Sequence, residues 1–222
     1  AGMGTRMRNS LPKVLHPLAG LPILGHVLRT AQALEPTGIA VVLGQRMEAV
    51  AETALQLAPG VRIAIQDQPR GTGHAVAAAR DLLPAEGDIV VLYGDTPLLL
   101  PGTVRRLVQA RRDADAGVAV LGMRPPDPSG YGRLSFIDGA LAEIVEERHA
   151  DDALRRDGIC NAGIMAIGAR RLGPLLDALP LQPERGEYYL TDAVALARSR
   201  GWVATTIEAP WIEGLGVNSQ AQ

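Results

Sequence analysis

Ile89-Val90-Val91-Leu92-Tyr93-Gly94-Asp95 is the stretch on which the reading of this chain turns. Four aliphatic residues and a tyrosine without a charge suit a central strand, a glycine ends it, and an acid follows at once. Short β-rich runs alternate with amphipathic windows on both sides. Residues 39–43 and 61–65 are expected strands, with a helix over 46–57 between them. Pro22 suits the first turn of a helix carrying Ile23, Leu24, Val27, Leu28 and Ala31 on one face. Beyond a Gly-Thr-Gly loop, 75–83 is an Ala-rich helix, 101–114 a helix and 118–123 a strand. Strands and helices alternating at this spacing predict an α/β fold. Its Rossmann-like, mostly parallel sheet is flanked by helices and joined by right-handed crossovers.

After residue 124 the pattern changes. Residues 133–137 and 140–145 flank Asp138-Gly139, the signature of a β-hairpin with a type I′ turn. Residues 159–167 form another extended run, 170–179 a helix, and 182–187 a polar loop. Thr191 is expected to cap a helix reaching Arg200, and 202–207 is the last strand. No repeat or linker divides the chain, so one domain of residues 1–222 is expected, with the hairpin inserted beside the first half. A sheet of this kind begins with an apolar strand that feeds its first Gly-rich loop. Here the sequence opens directly at Ala1-Gly2-Met3-Gly4-Thr5-Arg6, which sets the expected first strand upstream of Ala1.

Composition narrows the function. Hydrophobic residues make up 47% and charged residues 21%, enough for a real core. A net charge of −2 argues against phosphate-neutralising contact with nucleic acid, and 3% aromatics argues against base-stacking platforms. The single Cys160 forbids an intrachain disulfide and reads as a small buried hydrophobe. His16, His26, His74 and His149 lack zinc-ligand spacing, and His26 and His74 fall in apolar helical windows. No run approaches the roughly 18 apolar residues of a membrane span, so no membrane partner is expected and cytoplasm is the expected compartment.

Several groups bear chemistry. Gly2 and Gly4 let backbone N–H groups approach a polyphosphate, and Arg6 and Lys13 add fixed positive charge; a flexible terminus with two solvated cations is the alternative. The segment is neither a Walker A loop nor a dinucleotide fingerprint, since Met7 stands where that pattern needs glycine. Asp95, at the carboxyl end of its strand, suits Mg²⁺ in a crevice, or a cap on the turn into Pro97. Asn218 offers a second oxygen. Gln66, followed by Gly71-Thr72-Gly73, has an amide that matches a base such as uracil, or it belongs to an ordinary βα loop. Gly132, Glu146, Asn161, Tyr189 and Thr191 lie in polar segments that can read sugar hydroxyls or serve as turns and caps. The arginines at 105, 106, 111 and 112 read as a solvated helix face.

Together these segments resemble the pyrophosphorylase domain of bacterial N-acetylglucosamine-1-phosphate uridylyltransferases. The matching stretches are A-G-M-G-T-R-M, L-P-K-V-L-H-P-L-A-G, Q-x(4)-G-T-G-H-A, L-Y-G-D-T-P-L, P-S-G-Y-G-R, I-V-E-E, N-A-G-I, G-E-Y-Y-L-T-D and G-V-N, in family order from Ala1 to Asn218. The resemblance implies a nucleotidyltransferase (GT-A-like) fold, with a nucleotide-binding half over 1–124 and a sugar-binding half over 125–222. It implies that Ala1 and Gly2 end the nucleotide loop and that Arg6 and Lys13 handle phosphate. Gln66, Gly71 and Thr72 would meet uracil, with Tyr93 and Gly94 leading to Asp95. Asp95 and Asn218 would hold Mg²⁺, and Gly132, Glu146 and Asn161 would hold the amino sugar beside Tyr189 and Thr191. The implied partners are UTP, N-acetylglucosamine 1-phosphate, UDP-N-acetylglucosamine and pyrophosphate. Full-length members also carry a C-terminal acetyltransferase β-helix that forms a trimer; no hexapeptide repeat occurs here. Arg148-His149 stands where the family has Lys-Asp, and Gln220 where Arg often follows.

Three rivals share parts of this reading. A metal-dependent glycosyltransferase would show an Asp-x-Asp pair, whereas Asp95-Thr96-Pro97 has one acid. A non-catalytic nucleotide-sugar-binding subunit would not need Arg6, Lys13 and Asp95 together. A relative using dTTP or GTP differs only in the few residues that meet the base.

Overall fold

A computed structural model of the chain describes residues 11–219. A two-strand hairpin, β1 (Pro17–Leu18) with β2 (Leu21–Pro22), delivers Pro22 to the start of α1 (Ile23–Gln32). Ile23, Leu24, Val27 and Leu28 fall on the buried face of α1, as their helical spacing predicts. β3 (Ala40–Gly44), α2 (Glu48–Leu57) and β4 (Arg62–Gln66) form a βαβ unit whose strands pair in parallel. α3 (Gly71–Ala78) then leads to β5 (Asp88–Val91), α4 (Pro101–Asp113) and β6 (Val118–Met123). The hairpin of β7 (Arg133–Ile137) and β8 (Ala140–Val145) turns at Asp138 and Gly139. Both have positive φ, 51° and 77°, as a type I′ turn demands. The short α5 (Asp152–Asp157) precedes β9 (Cys160–Gly168) and α6 (Ala169–Ala178). The two-residue pair β10 (Leu181–Gln182) and β11 (Glu187–Tyr188), α7 (Ala193–Ser199) and β12 (Ala204–Ala209) complete the described elements.

β9 is the keystone. It pairs antiparallel with β5, β6 and β7, while β12 pairs parallel with β6. It follows that β5, β6 and β12 run one way and β9 runs against them. The sheet is therefore mixed where the sequence pattern predicted a mostly parallel one. A run such as Cys160–Gly168, buried almost throughout, carries no mark of its direction. Its alternation sorts the core into two layers. Met165 and Ile167 pack with Val118, Val120, Leu175 and Val194, and Ile164 and Ala166 pack with Ala119, Leu121, Val104 and Leu107. A third cluster ties α1 and α2 to β3 through Leu24, Leu28, Leu43, Val50 and Ala54.

Other expectations shift at their boundaries. The helix expected at 75 begins at Gly71, so Gly-Thr-Gly is its first turn and not a loop. The central strand ends at Val91, which leaves Tyr93, Gly94 and Asp95 in the turn beyond it. Thr191 caps nothing: it lies inside a 3₁₀ turn, Leu190–Asp192, that runs directly into α7. The last strand starts at Ala204, two residues later than expected. None of the described helices is long and apolar enough to cross a membrane.

Candidate active site

Because β9 opposes β5 and β6, the amino end of β9 lies on the same sheet edge as their carboxyl ends. Asp95 and Asn161 thus reach one edge from strands of opposite direction. Open α/β sheets hold ligands outside the carboxyl ends of their strands.

Lys13 opens a 3₁₀ turn, Lys13–Leu15, and its Nζ bonds to Asp95 Oδ2 and to Asn218 Oδ1, the latter at 3.1 Å. The two oxygens come from distant parts of the chain and converge on one cation. Asp95 is braced on two sides. Its carbonyl accepts the Val217 N–H at 2.9 Å, and Thr96, 2% exposed, returns N–H and Oγ1 to the Tyr93 carbonyl at 3.3 and 2.8 Å. Asn218 Nδ2 donates to the Gly216 carbonyl at 3.2 Å, which turns its Oδ1 toward Lys13. Upstream, the buried Glu213 accepts the Leu100 N–H at 3.2 Å and ties the 3₁₀ turn Trp211–Gly214 to the start of α4. Glu213 and Thr96 were not legible as site supports, since neither lies in a periodic pattern.

Tyr93 is half-buried, and its ring lies over Gly163, whose φ of +82° and missing Cβ admit it. Burial, with the Asp95 and Glu146 carboxylates adding to it, pushes the phenol up to about 12. It is neutral and a hydrogen-bond donor across the physiological range. Nearby, the Asn161 N–H donates to the Gly132 carbonyl at 2.8 Å, and its Oδ1 accepts the Gly163 N–H at 2.9 Å. Glu146 follows β8 and precedes the 3₁₀ turn Glu147–His149, where its carbonyl accepts the His149 N–H at 2.8 Å. The Tyr189 phenol is raised by burial first, then by the charges of Glu187 and Glu146. Asn161 thus bonds to Gly132 and Gly163, over which the Tyr93 ring lies, and the Glu146 charge acts on both the Tyr93 and Tyr189 phenols.

Lys13, Thr72, Tyr93, Gly94, Asp95 and Asn218 border one cavity. Thr72 Oγ1 accepts the Leu190 N–H at 2.9 Å, and the Tyr188 N–H donates to the Arg70 carbonyl at 2.8 Å. The Glu187–Tyr188 strand therefore docks on the start of α3. Gly71 permits this contact: its φ is +89°, and a Cβ there would stand 2.5 Å from the Tyr188 carbonyl oxygen. Gln66, 2% exposed, ends β4 and spends Nε2 on the Gly71 carbonyl at 3.0 Å, within 3.1 Å of His74 Nδ1. Thr191 stands in the 3₁₀ turn that follows. Ala1, Gly2 and Arg6 lie outside the described residues.

Arg133 is fully buried, and its guanidinium bonds to the carbonyls of Tyr131 and Arg155. It braces the loop around Gly132. Arg148, one of the departures from the family pattern, pairs with Glu184 in the loop between β10 and β11. Burial raises the Cys160 thiol, which leaves it inert.

Among the described residues no three His, Cys, Asp or Glu cluster as metal ligands. Asp95 and Asn218 nevertheless fit a hard divalent cation. Both are oxygen donors aimed at a point already held by a positive group, the Lys13 ammonium standing in for the ion. Mg²⁺ needs only one or two protein oxygens when phosphates and water complete its shell.

Comparison with known proteins gives the family. Bifunctional protein GlmU of Paramagnetospirillum magneticum is 46% identical over 224 residues, which span all of this chain and 49% of that protein. Its namesake from Azorhizobium caulinodans is 48% identical, over all of this chain and 50% of its own length. The chain thus spans about half the length of the curated relatives it matches. Among solved structures, a UDP-glucose pyrophosphorylase complexed with UDP-glucose superposes with a TM-score of 0.74 at 16% identity, covering 94% of this chain and 88% of that one. A nucleoside-diphosphate-sugar pyrophosphorylase from Vibrio cholerae gives 0.73 at 16% identity over 100% and 94%. Those two likenesses establish the nucleotidyltransferase fold. The MobA-like NTP transferase domain matches residues 1–182, more than three quarters of the sequence, and the chain belongs to that family of nucleotidyltransferases.

Proposed function

We propose that this chain transfers UMP from UTP to N-acetylglucosamine 1-phosphate, giving UDP-N-acetylglucosamine and pyrophosphate with Mg²⁺ as cofactor. The observation that carries the reading is the meeting of Lys13, Asp95 and Asn218 at one point on the edge of the sheet. A triphosphate needs a fixed cation and a metal dyad together, and a simple binding module does not. The choice of uracil and amino sugar rests on the relatives' name and on the motif resemblance.

A phosphate oxygen of the sugar phosphate attacks the α-phosphorus in line. The bond from that phosphorus to the β-bridging oxygen breaks, and its electron pair leaves with pyrophosphate. The nucleophile is already an anion, so no side chain has to take a proton, and positioning with charge neutralisation does the work. Lys13 is free to swing from Asp95 onto phosphate oxygens. Asp95 and Asn218 would hold Mg²⁺, which supplies Lewis-acid charge at the phosphates. Tyr93, kept neutral, offers a donor beside the anion without adding negative charge. Asn161 and Glu146 would meet the sugar substituents, the Asn161 Nδ2 donating and the Glu146 carboxylate accepting, beside Gly132.

The test is pyrophosphate release with UTP, N-acetylglucosamine 1-phosphate and Mg²⁺, run beside dTTP with glucose 1-phosphate. Preference for the first pair supports the reading. Preference for the second reassigns the substrates, and tight UTP binding without turnover in either mixture refutes catalysis by this chain.

A further inference from the structure

We infer that Glu213 is a positioning residue for the metal-holding oxygens, acting through a backbone strap that sets where Asn218 stands against Asp95. Two bonds tie segment 95–100 to segment 213–218. The Val217 N–H donates to the Asp95 carbonyl at 2.9 Å, and the Leu100 N–H donates to Glu213 Oε2 at 3.2 Å. Residue 95 is thus matched with 217 and residue 100 with 213, so the two segments run antiparallel. Asp95 and Asn218 stand at one end of the strap and Glu213 at the other. The inference rests on the proposed role of Asp95 and Asn218 as metal ligands.

Each segment is also held to the frame on its own side. The Leu99 side chain is buried, and its carbonyl accepts the Thr30 hydroxyl of α1 at 2.8 Å. Gly214 lies so close to the sheet that a Cβ there would stand 2.6 Å from Met123 Sδ, at the carboxyl end of β6, and 2.8 Å from Ala162 Cβ in β9. Beyond it the strap runs beside the site. A Cβ on Gly216 would stand 3.7 Å from Asp95 Oδ2, and the Gly216 carbonyl accepts the Asn218 amide.

Glu213 is 5% exposed and lines no part of the cavity that Lys13, Asp95 and Asn218 border. A carboxylate taken out of water is costly unless it accepts hydrogen bonds, and the positive end of α4, which starts at Pro101, offsets part of that cost. Leu100 is 57% exposed, so it serves the strap through its N–H and not through packing. Outer partners that orient metal ligands typically account for roughly 10- to 100-fold in metal affinity.

Mn²⁺ titration of the nucleotide-free protein reads the strap. Glu213→Ala and Leu100→Pro cut the same bond from its two sides, and proline suits Leu100, whose φ is −92° ahead of Pro101. Each should weaken Mn²⁺ binding by about tenfold, and the double variant no further, because one tie is lost in all three. Glu213→Gln keeps an acceptor and should stay within about twofold of wild type. Val104→Ala, a cavity on the buried face of α4, lowers stability without cutting the tie and should leave Mn²⁺ affinity unchanged. Hydrogen exchange of the wild type needs no variant: Mg²⁺ at about ten times its Kd should slow the Leu100 and Val217 amides together, by about tenfold. Wild-type Mn²⁺ affinity in folded Glu213→Ala or Leu100→Pro overturns the proposal. So do additive losses in the double variant, an equal loss in Glu213→Gln or Val104→Ala, or a Leu100 amide indifferent to Mg²⁺ while Val217 slows. Asp95→Asn separates the strap from the site: if it binds Mn²⁺ as wild type does, the assignment of the metal ligands falls. If it abolishes binding while Glu213→Ala leaves it intact, the strap alone falls.

Discussion

Exchanging Lys13 for methionine keeps most of the length and apolar stem of the side chain and removes the ammonium between Asp95 and Asn218. In the ligand-free molecule a divalent ion must displace that ammonium, because the two want the same oxygens. The side chains are 15% and 22% exposed, so the pair is shielded enough to matter without being fully desolvated. A charged hydrogen bond of this kind contributes about 1.5–3 kcal/mol. At about 1.4 kcal/mol per decade, its removal should tighten Mn²⁺ binding to the nucleotide-free protein by roughly 10- to 100-fold. On the proposed function the sign reverses with UTP present, because Lys13 would then be needed on phosphate. UTP affinity should fall by about tenfold and turnover by roughly 10²–10³. Linkage makes the two observations one: UTP should promote metal binding in the wild type by drawing Lys13 away, and this promotion should vanish in Lys13→Met. Isothermal titration of Mn²⁺ with and without UTP reads all four affinities. Unchanged or weaker Mn²⁺ binding in nucleotide-free Lys13→Met would refute the shared position.

Asp95→Asn should lower turnover by about 10³ while far-ultraviolet dichroism stays native, since Asp95 is outside every strand; near-normal rates at saturating substrate would remove it from the mechanism. Gly163→Ala should cost about 1–3 kcal/mol in urea unfolding, because φ is +82° and the new Cβ meets the Tyr93 ring; a cost below about 0.5 kcal/mol would show the contact to be soft. The phenol of Tyr93 lies near 10 unfolded and about 12 folded, so its contribution is intact below pH 10 and is lost as pH rises toward 12. Wild type should lose about 2–3 kcal/mol more than Tyr93→Phe across that interval, and parallel stability curves for the two would contradict the shift.

Elements whose pattern is local were readable in the sequence. Val118–Met123 and Ala40–Gly44 are apolar runs close to glycine, and the Asp138-Gly139 turn fixes its hairpin to the residue. Elements whose identity depends on neighbours were not. The opposed direction of β9 is set by what it pairs with, the six-residue α5 is too polar and short for periodicity, and the helix start at Gly71 hides in a loop-like composition. The site divides in the same way. Asp95 was legible from the strand before it, and Lys13 and Asn218 each had ordinary readings until folding closed sequence gaps of 82 and 205 residues onto one point. Arg133, at the end of the P-S-G-Y-G-R stretch, has its guanidinium turned inward onto carbonyls, which a motif cannot reveal. Gln66 presents its amide nitrogen to Gly71 and not to open space, for the same reason.

The bond from the Val217 N–H to the Asp95 carbonyl has a consequence in time. A ribosome adds about 5–20 residues each second, so Asp95 is made on the order of ten seconds before its amide partner at 218 exists. During that interval the nascent polypeptide carries an acid with no companion oxygen beside it. On the proposed function, competence to handle nucleotide then arrives only when the later-made segment around Asn218 stitches itself to the centre of the molecule.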